Sequence, residues 1–568
     1  EQACTVIGKL SGHGNIVAST LYFKPIVEIE GIHPIYPLKN KITQKQIKSV
    51  IKKVYALCEK AQIEPFPTSH LLNKGYLSMM EAQRVIHFPK DQDHLKLAIE
   101  TLKYIEFFDY HLRLMIHRRF NAVLYKAKKH FDRLTISNMI NRLPFTLTDD
   151  QLKVLDEILA DLETNKPMMR LLQGDVGSGK TIVAILAALA CVDAGYQVAL
   201  LAPTEILATQ HFNHLRRMID DPSITIAFLS SSLPARDKAD VYRKLEDQKI
   251  DILVGTHAIF QEAVTFSKLG LVITDEQHRF GVMQRRALIQ KAEIVDVLSM
   301  SATPIPRTMA AALFSDMDVS TIESMPKNRK PIVTKLIKEN SLRSFMDDLL
   351  LEIQKKHQVY VVCPAIDPAS NQTRNVTSVY EGIKNAYGKT FSIGMLHGQM
   401  DSATKEDVMR RFQQGDIDML ISTTVIEVGI DVANASRLVI YDADRFGLSQ
   451  LHQLRGRIGR SDILSVCYLL TSTTDQDTLD RLQVLLKHQS GFEIAYQDLL
   501  TRGPGELIGV RQSGLPTFRL GNIFEDQKLL LEAKNDAQEV ITSSGDDYWK
   551  TYVKNIEKDM ITSKAVAD

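Results

Sequence analysis

The chain is predicted to be an α/β protein with two parallel-sheet lobes in tandem, and three observations carry that prediction. At 568 residues and 44% hydrophobic content it is too long for one core and apolar enough for several. Between about residues 144 and 475, short continuous Val/Ile/Leu runs alternate with helical patterns, as strands of a parallel sheet covered on both faces do. The runs form two sets divided near SMPKNRKPI: RLLQG, QVALLAP, DILVGTH, LGLVITDEQH and VLSMSATP, then QVYVVCPAI, SIGMLHG, DMLISTT, RLVIYDAD and SVCYLL.

Taken in order, residues 1–40 hold β-like runs (NIVASTLYF, IVEIEGIHPIYPL) that read as the end of a small β domain. Residues 41–143 turn helical. QIKSVIKKVYALCEKA sets Ile47, Val50, Ile51, Val54, Leu57 and Cys58 on one stripe. The basic run Arg113, His117, Arg118, Arg119, Lys126, Lys128 and Lys129 reads as a solvated helix face, with contact to DNA as the alternative. Residues 144–325 and 326–475 are the two lobes, and beyond Asp475 the strands give way to helix and turn signals.

With 69 basic and 68 acidic residues the formal charge is +1, so any polyanion must meet local patches rather than a global field. Cys4, Cys58, Cys191, Cys363 and Cys467 show no pairing rhythm and read as reduced thiols of a cytosolic protein. No run approaches the roughly 20 apolar residues of a membrane span. The chain opens on Glu1 without a signal peptide and reads as a piece of a longer protein.

The chemistry begins at GDVGSGKT, Gly174–Thr181, which follows a strand and opens the helix IVAILAALA. Glycines at Gly174, Gly177 and Gly179 let the backbone of Asp175, Val176 and Ser178 wrap a polyphosphate at a helix N-terminus. Lys180 is expected to reach the β- and γ-phosphates and Thr181 to bind Mg²⁺. LGLVITDEQH delivers Asp275 and Glu276 at a strand end, where Asp275 holds hydrated Mg²⁺ and Glu276 takes a proton from the attacking water. QLHQLRGRIGR supplies Arg457 and Arg460 as arginine fingers from the second lobe.

The order GDVGSGKT, LAPTE, GTHAIF, DEQH, SATPIPRT, LHGQM, TTVIEVGIDV and QLRGRIGR resembles that of superfamily 2 helicases. DEQHRFGV, SATPIPRT and TTVIEVGIDVANA most resemble the RecG family of bacterial DNA translocases, from about Gly31 to the C-terminus and most strongly between Pro144 and Gly514. The resemblance implies RecA-like lobes, the first binding ATP. It makes residues 1–40 the end of an OB-like wedge domain, 41–143 a helical linker, and 476–568 a helical hairpin, loop and C-terminal segment.

It further implies adenine-side roles for Phe145 and Gln151, and backbone contacts to DNA from Pro203, Thr204, Glu205, Gly255, Thr256 and His257. Ser301, Ala302 and Thr303 would link nucleotide state to strand movement. Thr423, Thr424, Glu427, Gly429 and Asp431 would face both DNA and nucleotide, and Gln453 would join the catalytic arginines. RGPGELIGVRQSG resembles the TRG translocation signature at Arg502, Gly503, Gly505, Glu506, Gly509, Gln512, Ser513 and Gly514, after a hairpin around TLDRLQVLLKHQSGFEIAYQDLLT.

The implied activity is ATP- and Mg²⁺-dependent translocation on duplex DNA: regression of stalled forks and formation and migration of Holliday junctions, in repair and recombination. R-loops, D-loops and single-stranded DNA-binding protein are implied partners, acting on a monomer in the bacterial cytoplasm and nucleoid. The alternative is a transcription–repair coupling translocase, which shares the motor and the glycine-rich signature. Two departures stand out: MPKNRKPI lacks the family's proline- and glycine-containing turn, and LSSSLPARDK lacks a common glycine. With most of the wedge absent, the chain is expected to hydrolyse ATP yet engage forks poorly.

Overall fold

A computed structural model of the chain describes residues 4–10, 16–23, 32, 34–37, 42–61, 64–121, 125–275, 294–302, 317–326, 330–338, 345–364, 375–423, 432, 434–459, 463–506, 518–523, 525–542 and 547–565. They fall into two units, one of residues Glu1–His117 with Thr517–Asp568, the other of Arg118–Pro516.

The first unit brings both ends of the chain into one core. Strands β1 (Thr5–Leu10) and β2 (Ile16–Tyr22) pair antiparallel with a bulge at Ile7/Gly8. The helix Gln44–Lys60 starts on a capping box between Thr43 and Gln46, and Met79–His87 starts on Ser78. The core forms where Phe66 meets Phe108, Trp549 and Tyr552 edge-on at 5.3, 5.8 and 5.5 Å. Tyr104 donates its hydroxyl hydrogen to Asp536 at 2.6 Å, so the His70 Nε2 lying 2.6 Å away is its donor. Lys74 binds Asp536 and Glu532, and Glu106 accepts the backbone N–H groups of Leu520 and Gly521.

His111 is fully buried in this unit, and burial pushes its ring down to about 3. Because its unfolded value is near 6.5, the unfolded chain takes up the proton first. The stabilisation is whole above about pH 6.5 and is lost as pH falls below it, by about 2 kcal/mol at pH 5. A melting series from pH 7 to 5 is expected to show that loss, and His111→Asn is expected to flatten it. An unchanged slope in the variant would assign the acid sensitivity elsewhere.

In the second unit the seven-stranded sheet runs β5–β6–β4–β7–β8–β3–β9, with every pairing parallel. Its strands are β3 (Met169–Gly174), β4 (Gln197–Leu201), β5 (Ile226–Leu229), β6 (Ile252–Gly255), β7 (Leu269–Thr274), β8 (Asp296–Ser301) and β9 (Asp318–Ile322). Period-two alternation sends Val198, Leu200, Ile252 and Val254 to one core, and Ala199, Leu201 and Leu253 to the other.

The second sheet, β10–β15–β14–β11–β13–β12, is likewise parallel throughout. It comprises β10 (Val333–Ile337), β11 (Gln358–Val362), β12 (Ile393–Leu396), β13 (Met419–Ser422), β14 (Ala435–Ile440) and β15 (Val466–Leu470). Its two cores divide the same way, with Tyr360 and Val362 on one face and Val359 and Val361 on the other. Each lobe also opens an interior strand, β4 or β11, on a buried glutamine. Gln197 donates to Leu245 O and Ile250 O, and Gln358 to Phe412 O and Ile417 O. The two-lobed α/β class stands as predicted.

The basic run departs from the solvated face expected of it. Lys126 and Lys129 lie in a segment that is neither helix nor strand, and both ammonium groups bind the buried Asp296 at the start of β8, at 2.7 and 2.6 Å. The pairing could not be read locally because the carboxylate arrives 170 residues later. Cys191, Cys363 and Cys467 are buried free thiols, and Cys4 and Cys58 are free as well. Among the described residues no helix is long and apolar enough to cross a membrane.

Candidate active site

Parallel strands bring their C-terminal ends to one edge of the sheet, and the first-lobe motifs sit on those ends: the loop from Gly174 after β3, Pro203–Glu205 after β4, Gly255–His257 at β6, Asp275 after β7, and Ser301 and Ala302 at β8. The backbone N–H of Asp275 bonds Leu201 O at 2.9 Å, which carries the β4–β7 ladder one residue further and fixes where its carboxylate starts. Thr204 caps the helix Glu205–Met218, accepting from Leu207 N. Thr256 precedes the single turn His257–Phe260.

The loop itself is set by left-handed glycines, Gly177 at φ 79° and Gly179 at φ 85°. A Cβ at Gly179 would lie 2.2 Å from Gln151 Nε2, so the close approach of that side chain also requires glycine. Gln151 donates to Ser178 O at 2.8 Å while its own oxygen accepts from Thr148 N, tying the preceding helix Asp149–Leu162 to the loop. Its neighbour Asp150 anchors the same first turn, accepting from Ser324 N at 2.7 Å and Glu323 N at 3.1 Å. Those bonds, Ser324 N foremost, hold its carboxyl below the usual range. Phe145 is half exposed.

Lys180, in the first turn of Lys180–Asp193, folds back into the loop and donates to Gly174 O at 2.8 Å and Asp175 O at 2.9 Å. Ser178 Oγ is buried with no hydrogen-bond partner among the described residues. A curled glycine backbone, a buried ammonium and an orphaned hydroxyl together fit a polyphosphate. Thr181 and Asp275 offer the hydroxyl and carboxylate oxygens that suit Mg²⁺. His211, buried on the helix Glu205–Met218, donates from Nε2 to Asp275 Oδ2 at 2.8 Å and orients that carboxylate.

The second lobe reaches the loop through QLHQLRGRIGR. The helix Leu448–Arg455 carries buried His452, Gln453 and Arg455, and the turn beyond it carries buried Arg457. His452 Nε2 bonds Asp175 Oδ1, and Gly491 N bonds Asp175 Oδ2 at 2.8 Å. Burial presses the Asp175 carboxyl upward, but these bonds and that from Val176 N bring it below the usual range. Arg455 donates to the carbonyls of Leu485, His488 and Gln489, the turn between the helices Gln476–Lys487 and Gly491–Glu506. Thr423 is buried at the end of β13, its N–H on Leu396 O.

Glu276, Thr303, Thr424, Glu427, Gly429, Asp431, Arg460, Gly509, Gln512, Ser513 and Gly514 lie outside the described residues. Arg502, Gly503, Gly505 and Glu506 fall in the last turns of the helix Gly491–Glu506, where the sequence pattern suggested a loop. His211, His452, Arg455 and Gly491 were not singled out from sequence. Each is one residue without a spacing signature, and its partner is distant in the chain.

The family described as "DEAD/DEAH box helicase" matches residues 148–312, and "Helicase conserved C-terminal domain" matches 341–462. An "ATP-dependent DNA helicase RecG" of Staphylococcus aureus is 42% identical over 516 residues, spanning 90% of this chain and 74% of that one. The Bacillus subtilis protein of the same name is 39% identical, spanning 99% and 83%. The solved "Structure of RecG bound to three-way DNA junction" overlays with a TM-score of 0.70 at 37% identity, covering 93% of this chain and 70% of that one. Mss116p bound to single-stranded RNA and AMP-PNP matches at a TM-score of 0.51 and 16% identity, a likeness of fold alone.

Proposed function

The chain belongs to the RecG family of ATP-dependent DNA helicases, and from that premise we propose that it is a double-stranded DNA translocase that remodels branched DNA in repair and recombination. The observation that carries the substrate is the likeness, over 93% of the chain, to a RecG solved on a three-way junction. Regression of stalled forks and migration of four-way junctions are the reactions such a motor performs on that substrate.

Bound Mg²⁺–ATP supplies the phosphoanhydride whose cleavage drives the motor, together with local charge neutralisation. Lys180 would leave the two carbonyls it now holds for the phosphate oxygens, and Thr181 and Asp275 would hold the metal, Asp275 aimed by His211. Glu276 accepts the proton of the attacking water. Arg457 and Arg460 approach from the second lobe to meet the charge that develops as the bond breaks. Pro203, Thr204, Gly255, Thr256, His257, Thr423 and Thr424 grip the DNA backbone without reading sequence, which suits a motor on arbitrary DNA. Ser301, Ala302 and Thr303 pass the nucleotide state to that grip. Arg502, Gly503, Gly505, Glu506 and Gln512 pass it to the duplex. The protein works as a monomer in the bacterial cytoplasm and nucleoid, with single-stranded DNA-binding protein as a partner.

The test is ATP hydrolysis measured with forked DNA, linear duplex and RNA. Stimulation is expected in the order fork, linear duplex, RNA. Strongest stimulation by RNA would overturn the substrate, and equal stimulation by fork and linear duplex would remove the preference for branches.

A further inference from the structure

We propose that Asp175 is a coupling residue that docks the turn between the helices Gln476–Lys487 and Gly491–Glu506 on the phosphate loop, and that nucleotide entering the loop releases that turn. The proposal rests on the nucleotide-binding reading above.

Hydrogen-bond chemistry fixes the joint. Arg455 has donors only, so His452 Nδ1, 3.0 Å from Arg455 Nη2, must accept. The hydrogen of the neutral ring then sits on Nε2 and points at Asp175 Oδ1, which also accepts from Val176 N at 2.7 Å. Asp175 Oδ2 takes Gly491 N–H at 2.8 Å. Both oxygens of a carboxylate only 6% exposed are thus occupied, one of them by the first residue of the second helix. Through His452 the same carboxylate touches Arg455, which holds the carbonyls of Leu485, His488 and Gln489 on the other side of the turn. Asp175 is the phosphate-loop member of a cluster that holds both sides of the turn.

Sterics make the joint specific. A Cβ at Gly491 would lie 2.8 Å from Asp175 Oδ1 and 2.7 Å from His452 Nε2. A Cβ at Gly456 would lie 2.8 Å from Val176 Cβ, so the next loop residue abuts the same cluster. Two neighbouring loop residues, Asp175 by polar contact and Val176 by packing, therefore rest on a surface that needs glycine at two distant positions.

The link to nucleotide runs through one peptide unit. Lys180 spends its ammonium on Asp175 O and Gly174 O. When that ammonium moves to phosphate oxygens, the Asp175 carbonyl keeps only the N–H of Ser178, at 3.1 Å, and the peptide unit whose Val176 N–H holds Oδ1 loses its charged anchor and shifts. The carboxylate on the same residue moves with it and lets go of Gly491 N–H. Nucleotide arrival is then read by the hairpin turn directly, without waiting for Arg457 to be brought into place by lobe closure. The joint has two discrete arrangements, docked and released, as a transmitting element requires.

Hydrogen exchange at the Gly491 amide of the full chain tests the joint, with a non-hydrolysable ATP analogue and Mg²⁺ as the probe and its binding followed separately by fluorescence. Exchange is expected to quicken about tenfold on binding, within the range of ordinary coupling between sites. Nucleotide bound with exchange unchanged or slowed overturns the joint alone. A chain that binds no nucleotide overturns the reading it rests on as well, and the fluorescence signal tells these two apart. In a second measurement, His452→Leu is expected to lower DNA remodelled per ATP hydrolysed about tenfold. His452→Gln, whose amide N–H replaces Nε2–H, is expected to restore most of it. If remodelling and hydrolysis fall in proportion in both variants, the joint is scaffolding and the proposal fails.

Discussion

Lys180→Ala is expected to lower DNA-stimulated ATP hydrolysis at least about 10³-fold while the affinity for DNA without nucleotide stays within about threefold of the parent. The reason is the position of one ammonium. It is 9% exposed and held inside the loop by two backbone carbonyls, ready for transfer to phosphate. No other described cation occupies the loop in that way, and a preorganised charge in a dry site is worth far more than one in water. The segments proposed to face DNA lie on other strand ends, so a grip through them does not pass through Lys180. Steady-state hydrolysis and fluorescence anisotropy on the same preparations give both numbers. Undiminished hydrolysis would remove the phosphate loop from the active site, and DNA binding lost in proportion would mean that the loop had collapsed.

The second large effect is on stability. Asp296→Asn is expected to cost about 3–5 kcal/mol, the usual penalty for leaving buried charge without its partner. Asp296 is fully buried and holds Lys126 and Lys129, each 3% exposed at the side chain, while also accepting from Met168 N at 2.6 Å. Burial already pulls Lys126 below the ordinary lysine value even with Asp296 beside it. In the variant that depression deepens. The unfolded chain then holds its lysine protons to higher pH than the folded chain does. Stability of the variant is accordingly lost as pH falls below the unfolded lysine value and regained as pH rises. The deficit should be larger at pH 7 than at pH 9.

Thermal melting across that range checks the sign. A fall in Tm of about 10 °C at pH 7 is expected for a lobe of this size. Combining Lys126→Met, Lys129→Met and Asp296→Leu is expected to recover most of the loss, because a buried ion cluster and a packed apolar one differ little in net stability. A wild-type melting point for Asp296→Asn would show that water reaches the cluster.

The basic run that contains Lys126 and Lys129 marks where sequence reasoning stopped. On the page it is charge on a helical pattern, and the ordinary expectation of a solvated face follows. In the fold, two of its lysines are clamped beneath a sheet by a carboxylate that a strand far downstream supplies. The same limit hid His452. It stands in full view inside QLHQLRGRIGR, yet its partner Asp175 is 277 residues away, and no local pattern couples them. Gly491 carries no signal of its own in KHQSGF, and only its distance to Asp175 gives it a role. His211 shares its helix's buried face with Leu207, Ala208 and Leu215, so in sequence it reads as one more core position.

Other parts were legible because their cause is local. GDVGSGKT shows itself through glycines that only left-handed backbone demands, followed at once by a helix. LGLVITDEQH shows itself because a buried parallel strand must end, and its end must face the ligand edge. Ten strand runs were readable because each is apolar on both faces, and all ten appear in the sheets.

By itself, then, the sequence determined the two-lobed α/β class, the glycine loop ahead of its helix and the place of Asp275 at a strand end, since hydrophobic period and backbone conformation act over a few residues. Only the tertiary structure decided that the chain ends share one core, that Lys126 and Lys129 are buried on Asp296, and that Asp175 meets Gly491 and His452. Those contacts depend on how strands are ordered in a sheet and how two lobes meet. Hydrogen bonds between side chains hundreds of residues apart leave no periodic trace along the chain.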